Sequence, residues 1–320
     1  MCVVFFVIKF SWGNVTWDAD SQLSFREIWG YLMRGEEKYF RKEAPITDIF
    51  YFSAGVNTKG RINTSVNPPF TPVFSGGDRR IHLVISDLTN TSLMHFCLNK
   101  KNAARRNLIR DIVEVSYKFD GIQIDFEAVD KSDKYLFLGF LRDLKKSLPG
   151  RKILSVAVPP RRTYIDDAYD YSAISRIADR ILVMAYDQHW STSRPGPVAS
   201  LSWCREVALF ALKNIPRSKL IMGLPLYGRE WDDQGFSRSL KWNQVNALME
   251  RDDAVIEYSV DQGFKVMYDQ NMKVTLYYDD IKATKHKLVL YRNHRVGVGF
   301  WRLGMENANL WEILRIAEGG

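Results

Sequence analysis

A chain of 320 residues, 46% hydrophobic and 26% charged, has enough apolar material for one large α/β barrel or two medium domains, which excludes disorder over most of its length. Three cysteines (Cys2, Cys97, Cys204) at wide spacing exclude a disulfide framework and a zinc pattern, and the five histidines stand in no metal-ligand spacing, so neither metal nor cofactor is expected. The net charge of +8 favours acidic partners, but the clusters Lys100-Lys101, Arg105-Arg106 and Arg161-Arg162 are short and lack interleaved aromatics, so no nucleic-acid partner is expected.

In chain order, the apolar run at 1–8 is too short to span a bilayer. No basic residues precede it and no small-residue cleavage site follows it. Residues 1–24 are read as a leader or N-terminal extension, because a better first barrel strand comes later. Short β-branched and aromatic runs then recur at 28–33, 48–54, 81–86, 121–127, 153–158, 181–186, 220–225 and 296–301. Amphipathic stretches separate most of them. Residues 100–117 place Leu108, Ile112 and Val115 on one side, and 133–147 place Phe137, Phe140, Leu141 and Leu144 at helical spacing; 171–178 and 203–214 behave similarly. Eight strands alternating with helices predict a (β/α)8 TIM barrel over 25–320. The rhythm breaks between the seventh and eighth strands, where 255–258, 264–268 and 273–278 alternate like antiparallel strands and a helix opens near 281–288. This predicts a small α+β insertion over about 231–290, placed on a barrel loop and walling one side of a cleft.

The segment Phe119-Asp120-Gly121-Ile122-Gln123-Ile124-Asp125-Phe126-Glu127 carries the chemistry. Alternation puts Ile122, Ile124 and Phe126 on one face and Gln123, Asp125 and Glu127 on the other. In a barrel the apolar face suits the helix layer, so the carboxylates turn inward. Two carboxyls at i and i+2 in a poorly solvated site cannot both ionise cheaply, so one is raised. A carboxyl kept protonated near neutral pH is what a general acid requires. Glu127, at the strand's C-terminal end, is the candidate acid, with Asp125 deeper and able to share its proton.

Four segments together resemble glycoside hydrolase family 18. Asp120 to Glu127 resembles the family signature Asp-Gly-x-Asp-x-Asp-x-Glu. Met184-Ala185-Tyr186-Asp187 resembles its sixth-strand Met-x-Tyr-Asp. Gly223-Leu224-Pro225-Leu226-Tyr227-Gly228-Arg229 resembles its seventh-strand motif, and Gly297 to Gly304 its last strand, with Trp301 as the floor of the sugar site. The resemblance implies a retaining mechanism in which the substrate's own acetamide is the nucleophile. It implies that Glu127 protonates the leaving oxygen, that Asp125 bonds the acetamide N–H, that Tyr186 bonds its oxygen, and that Trp301 stacks beneath the ring. Asp187, Gln123, Tyr227 and Arg229 are candidate substrate contacts. Gln123 departs from the family's middle Asp and, unable to take up a proton, interrupts a relay down the strand while remaining able to bond Asp125. The amide at this position, Phe126 before the acid, and a third strand without a double Gly are similar to the bacterial branch of spore cortex-lytic and peptidoglycan N-acetylglucosaminidases. An N-acetylglucosamine-containing glycan is therefore the expected partner, with peptidoglycan preferred over chitin, for a monomer without a transmembrane span located outside the cytoplasm. The alternatives are a non-catalytic sugar-binding relative, a chitinase proper, or an interaction protein using the insertion.

Overall fold

The computed structural model describes residues 22–69, 79–269 and 271–318. The apolar run at 1–8 lies outside them. The first described strand, β1 (Leu23–Phe25), pairs in parallel with the last, β15 (Leu314–Ile316), joining the two ends of the described residues.

Eight parallel strands close a barrel. In chain order they are β2 (Ile28–Met33), β3 (Asp48–Gly55), β4 (Arg80–Asp87), β5 (Gly121–Phe126), β6 (Ile153–Val158), β7 (Arg180–Val183), β8 (Leu220–Pro225) and β14 (Gly297–Trp301), and β14 pairs with both β8 and β2. All eight correspond to the runs read from the sequence. The sixth stops at Val183 rather than at 186: Met184 N still donates to Val158 O of β6 at 3.0 Å, but Ala185 N and Tyr186 N turn back onto the carbonyls of Val183 and Met184, both at 2.8 Å, and leave the ladder. The alternation separates two cores. Trp29, Tyr31, Phe50, Phe52, Val84, Ala157, Leu182 and Ile221 fill the barrel. Ile122, Ile124 and Phe126 face outward, onto a layer that includes α2 (Ala103–Ser116), α3 (Lys134–Ser147) and α5 (Leu201–Asn214). Burying such large side chains, at roughly 1.5–3 kcal/mol each, fixes the register and hence which face of β5 points inward.

The interval after β8 holds a five-stranded antiparallel sheet in the order β10-β9-β13-β12-β11, where β9 is Gly228–Trp231, β10 Ser237–Leu240, β11 Val255–Ser259, β12 Gly263–Tyr268 and β13 Val274–Tyr278. With α6 (Trp242–Met249) it packs its own small core of Leu240, Val245, Val266, Leu276 and Tyr278. The sequence reading recovers β11, β12 and β13 but not β9, β10 or α6. The helix expected near 281–288 is α7 (Ile281–Asn293), which packs on α5 and β14 and so completes the barrel's helical layer. No helix among the described residues is long and apolar enough to cross a membrane.

The barrel's two ends differ in electrostatic design. At the N-terminal end Asp48 accepts from Arg80 at 2.6 and 2.8 Å and pairs with His82 at 2.8 Å, while Arg180 reaches Glu27 at 2.7 Å. Burial pushes Asp48 upward, but the hydrogen bonds from His82 and Arg80 outweigh it and hold the carboxyl at about 2. Ion pairs close this end and leave the Asp48 carboxylate fully engaged, with only His82 Nδ1 of this group lacking a partner among the described residues.

Candidate active site

The opposite end presents a carboxyl that is not satisfied. Asp125 is 5% exposed, and its Oδ1 finds no hydrogen-bond partner among the described residues. Burial, reinforced by the charge of Glu127, pushes its pKa up to about 8. The two buried aspartates are therefore shifted in opposite directions within one barrel. The one lacking a partner lies at the C-terminal face, where barrel enzymes carry their sites.

Glu127 is the first residue beyond β5, and its N–H donates to the Asp87 carbonyl at 2.9 Å, so the end of β4 fixes its backbone. The residue is exposed at the rim. Burial of its carboxyl end and the charge of Asp187 raise its pKa, an effect that contact with water moderates. Asp125 and Glu127 thus share a face as the alternation requires, one sealed below and one open above.

Gln123 lies one step deeper and is fully buried. Tyr31 donates to its Oε1 at 2.6 Å, and its Nε2 donates to Ser155 Oγ at 3.3 Å. The expected substrate contact by Gln123 is corrected here. With both ends of its amide engaged inside the barrel, Gln123 is bonded across to β2 and β6 rather than to Asp125, and it lies too deep to contact a substrate.

Trp301 ends β14 and Tyr186 lies three residues past β7, and their side chains meet. Their rings lie nearly parallel, 16° apart with centroids separated by 6.5 Å. Tyr31 and Phe52 meet Trp301 edge-on at 5.4 and 4.9 Å, and its carbonyl accepts from Leu226 N at 2.7 Å, so the indole is fixed from below and behind. Burial, then the neighbouring Tyr31 and Asp125, keep the Tyr186 phenol protonated well above its ordinary range. Its place depends on a glycine: a Cβ at Gly223 would stand 2.8 Å from Tyr186 Cε1 and 2.9 Å from the Val183 carbonyl oxygen. Gly223→Ala is expected to lower stability by about 1–3 kcal/mol through overpacking, read from the denaturant midpoint, and to lower turnover by shifting the phenol. An unchanged midpoint would contradict this packing.

Asp187 has a left-handed backbone (φ 54°), a conformation uncommon for a residue with a side chain. Tyr227 donates to its Oδ1 at 2.5 Å and Arg229 reaches the same oxygen at 3.2 Å. Tyr227 is almost fully buried, and Arg229 lies over its ring at 5.5 Å. These two residues hold Asp187 from behind.

The sequence reading did not select Trp190. It is 53% exposed, three residues beyond Asp187, and its carbonyl accepts from Trp231 Nε1 at 3.1 Å. Gln188 N donates to Val198 O at 2.8 Å and Gln188 Oε1 accepts from Ser200 N at 2.8 Å, closing the base of this loop. An exposed indole on a closed loop near a strand's C-terminal end has one face available for a ring to stack on. The available signal was an aromatic immediately after the Tyr186-Asp187 strand end.

Comparison with known proteins agrees with the geometry. Residues 27–306 match the family described as glycosyl hydrolases family 18. The chain is 30% identical over 211 residues to an uncharacterized glycosylase of Bacillus subtilis, covering 62% of this chain and 61% of that protein. It is 25% identical over 286 residues to the cortical fragment-lytic enzyme of the same organism, covering 79% and 64%. The crystal structure of the Bacillus cereus spore cortex-lytic enzyme SleL superposes with a TM-score of 0.82 at 22% identity, covering 93% of this chain and 76% of that one. The chain thus spans about three fifths of the length of the curated relatives it matches.

Proposed function

We propose, from the premise that this chain belongs to glycosyl hydrolases family 18, that it hydrolyses β-1,4 bonds next to N-acetylglucosamine by a retaining mechanism assisted by the substrate's acetamide. The observation that carries the reading is the buried Asp125 carboxyl, its Oδ1 without a partner among the described residues, on the same strand face as the rim-exposed Glu127. A site that hydrolyses sugars without a protein nucleophile needs a proton donor at the leaving oxygen and a group that orients the acetamide. Glu127 is the donor. Asp125, with Oδ1 left free, accepts the acetamide N–H and keeps its own proton, which it offers as a hydrogen bond to the Glu127 carboxylate that the donation leaves. The Tyr186 phenol donates to the acetamide oxygen, which attacks the anomeric carbon while Trp301 lies beneath the sugar. Glu127, now a carboxylate, removes a proton from the water that opens the intermediate. Because Gln123 cannot carry a proton, the relay ends at Asp125.

The favoured substrate is peptidoglycan. Its muramic acid carboxylates suit a chain of net charge +8, and the names of the matched spore proteins point the same way. Action on a wall polymer places the protein outside the cytoplasm. The test is incubation with peptidoglycan glycan strands and, separately, with chitin oligosaccharides, followed by mass spectrometry of the new reducing ends. The expected products are muropeptides ending in N-acetylglucosamine. Cleavage of chitin oligomers alone would replace the substrate but keep the chemistry, and turnover of neither would overturn the enzymatic reading.

A further inference from the structure

We infer that Tyr169 is a positioning residue for the proton donor, a step that rests on the reading of Glu127 as the acid. Its hydroxyl donates to the Phe126 carbonyl at 2.8 Å and accepts from the Val129 N–H at 3.3 Å. Those two backbone groups bracket Glu127. The segment from Glu127 to Val129 is irregular backbone just beyond β5, so no sheet ladder holds it past the single bond from Glu127 N to Asp87 O. One phenol supplies the missing acceptor and donor and fixes the turn from which the acid projects.

The phenol is itself held in place. Its ring is buried, 9% exposed, and meets Phe137 of α3 edge-on at 6.1 Å. Its backbone N–H donates to Asp167 Oδ1 at 2.9 Å, and Asp167 pairs with Arg161. Two further ties join the same pair of loops: Lys134 with Asp170 at 3.4 Å, and Lys131 with Asp166. The latter pair is exposed and contributes little, so the buried Tyr169 hydroxyl dominates. A small displacement of a catalytic group can cost up to about 100-fold, so this contact sets how well Glu127 addresses the leaving oxygen.

The consequence separates positioning from general support. An aryl glycoside with a nitrophenolate leaving group needs little protonation, whereas a sugar leaving group needs it fully. Tyr169→Phe keeps the ring and removes both hydrogen bonds. It is expected to lower kcat on a glycan oligomer by about 10-fold or more with little change in KM, and to leave the rate on the nitrophenyl glycoside within about twofold. Asp167→Asn, which loosens the Tyr169 backbone without touching the phenol, should show the same asymmetry at smaller size. Circular dichroism melting of each variant identifies any that fail to fold, and the Asp167 variant then carries the test. Equal losses on both substrates, or no loss on the oligomer, would overturn the inference. Wild-type protein inactive on both substrates would instead overturn the functional reading beneath it.

Discussion

Replacing Glu127 with Gln is expected to lower kcat on a glycan substrate by about 10²- to 10⁴-fold, the range for loss of a general acid, while leaving sugar affinity nearly unchanged. Gln preserves the shape of the side chain and its place at the rim, but has no proton to give at neutral pH and cannot act as the base for water. The sugar platform proposed at Trp301 is unaffected, because Trp301 is held by Tyr31, Phe52 and the Leu226 N–H, none of which involves Glu127. Initial-rate kinetics and calorimetric titration with an oligosaccharide separate the two effects. A variant as fast as the wild type would remove Glu127 from its role.

The second large effect concerns stability. Asp125 has a folded pKa of about 8 against an ordinary value of 3.8. A carboxyl raised on folding binds its proton more tightly in the native state. Its contribution is therefore intact below about pH 4 and is lost as the pH climbs through the folded value near 8. At about 1.4 kcal/mol per pH unit, full ionisation costs on the order of 5 kcal/mol. Asp125→Asn removes the ionisation while keeping the size of the side chain. The variant should unfold at nearly the wild-type denaturant midpoint at pH 4 and at a clearly higher midpoint at pH 9. A difference independent of pH would show that Asp125 ionises freely in the folded protein. The same variant should lose activity, so stability and turnover would move in opposite directions at one residue, as expected where a fold keeps a costly group for its chemistry.

The barrel was legible because its strands are runs of β-branched and aromatic residues whose alternation is enforced by two separate cores. Asp125 and Glu127 were legible for the same reason: once Ile122, Ile124 and Phe126 face the helices, the acidic residues have only the interior left. Other features depend on contacts between strands far apart in sequence. Nothing in the spacing says that Gln123, which is able to bond Asp125, instead meets Tyr31 from β2 and Ser155 from β6; the register of distant strands decides it. Tyr169 acts through backbone groups 40 and 43 residues away, which leaves no pattern in the chain. The strands β9 and β10 are four residues each, one continuing a motif already read as strand end and the other polar, so neither shows a period long enough to recognise.

The acetamide's part in the reaction can be measured directly by comparing initial rates on one glycan oligomer before and after its N-acetyl groups are removed, with the anomer of the first product followed by proton NMR. The N-acetylated oligomer should be cleaved to a product that appears first as the β anomer, and the de-N-acetylated oligomer should be inert. Equal rates on the two, or a first product in the α form, would contradict a site in which Asp125 and Tyr186 orient the substrate's own nucleophile beneath Glu127.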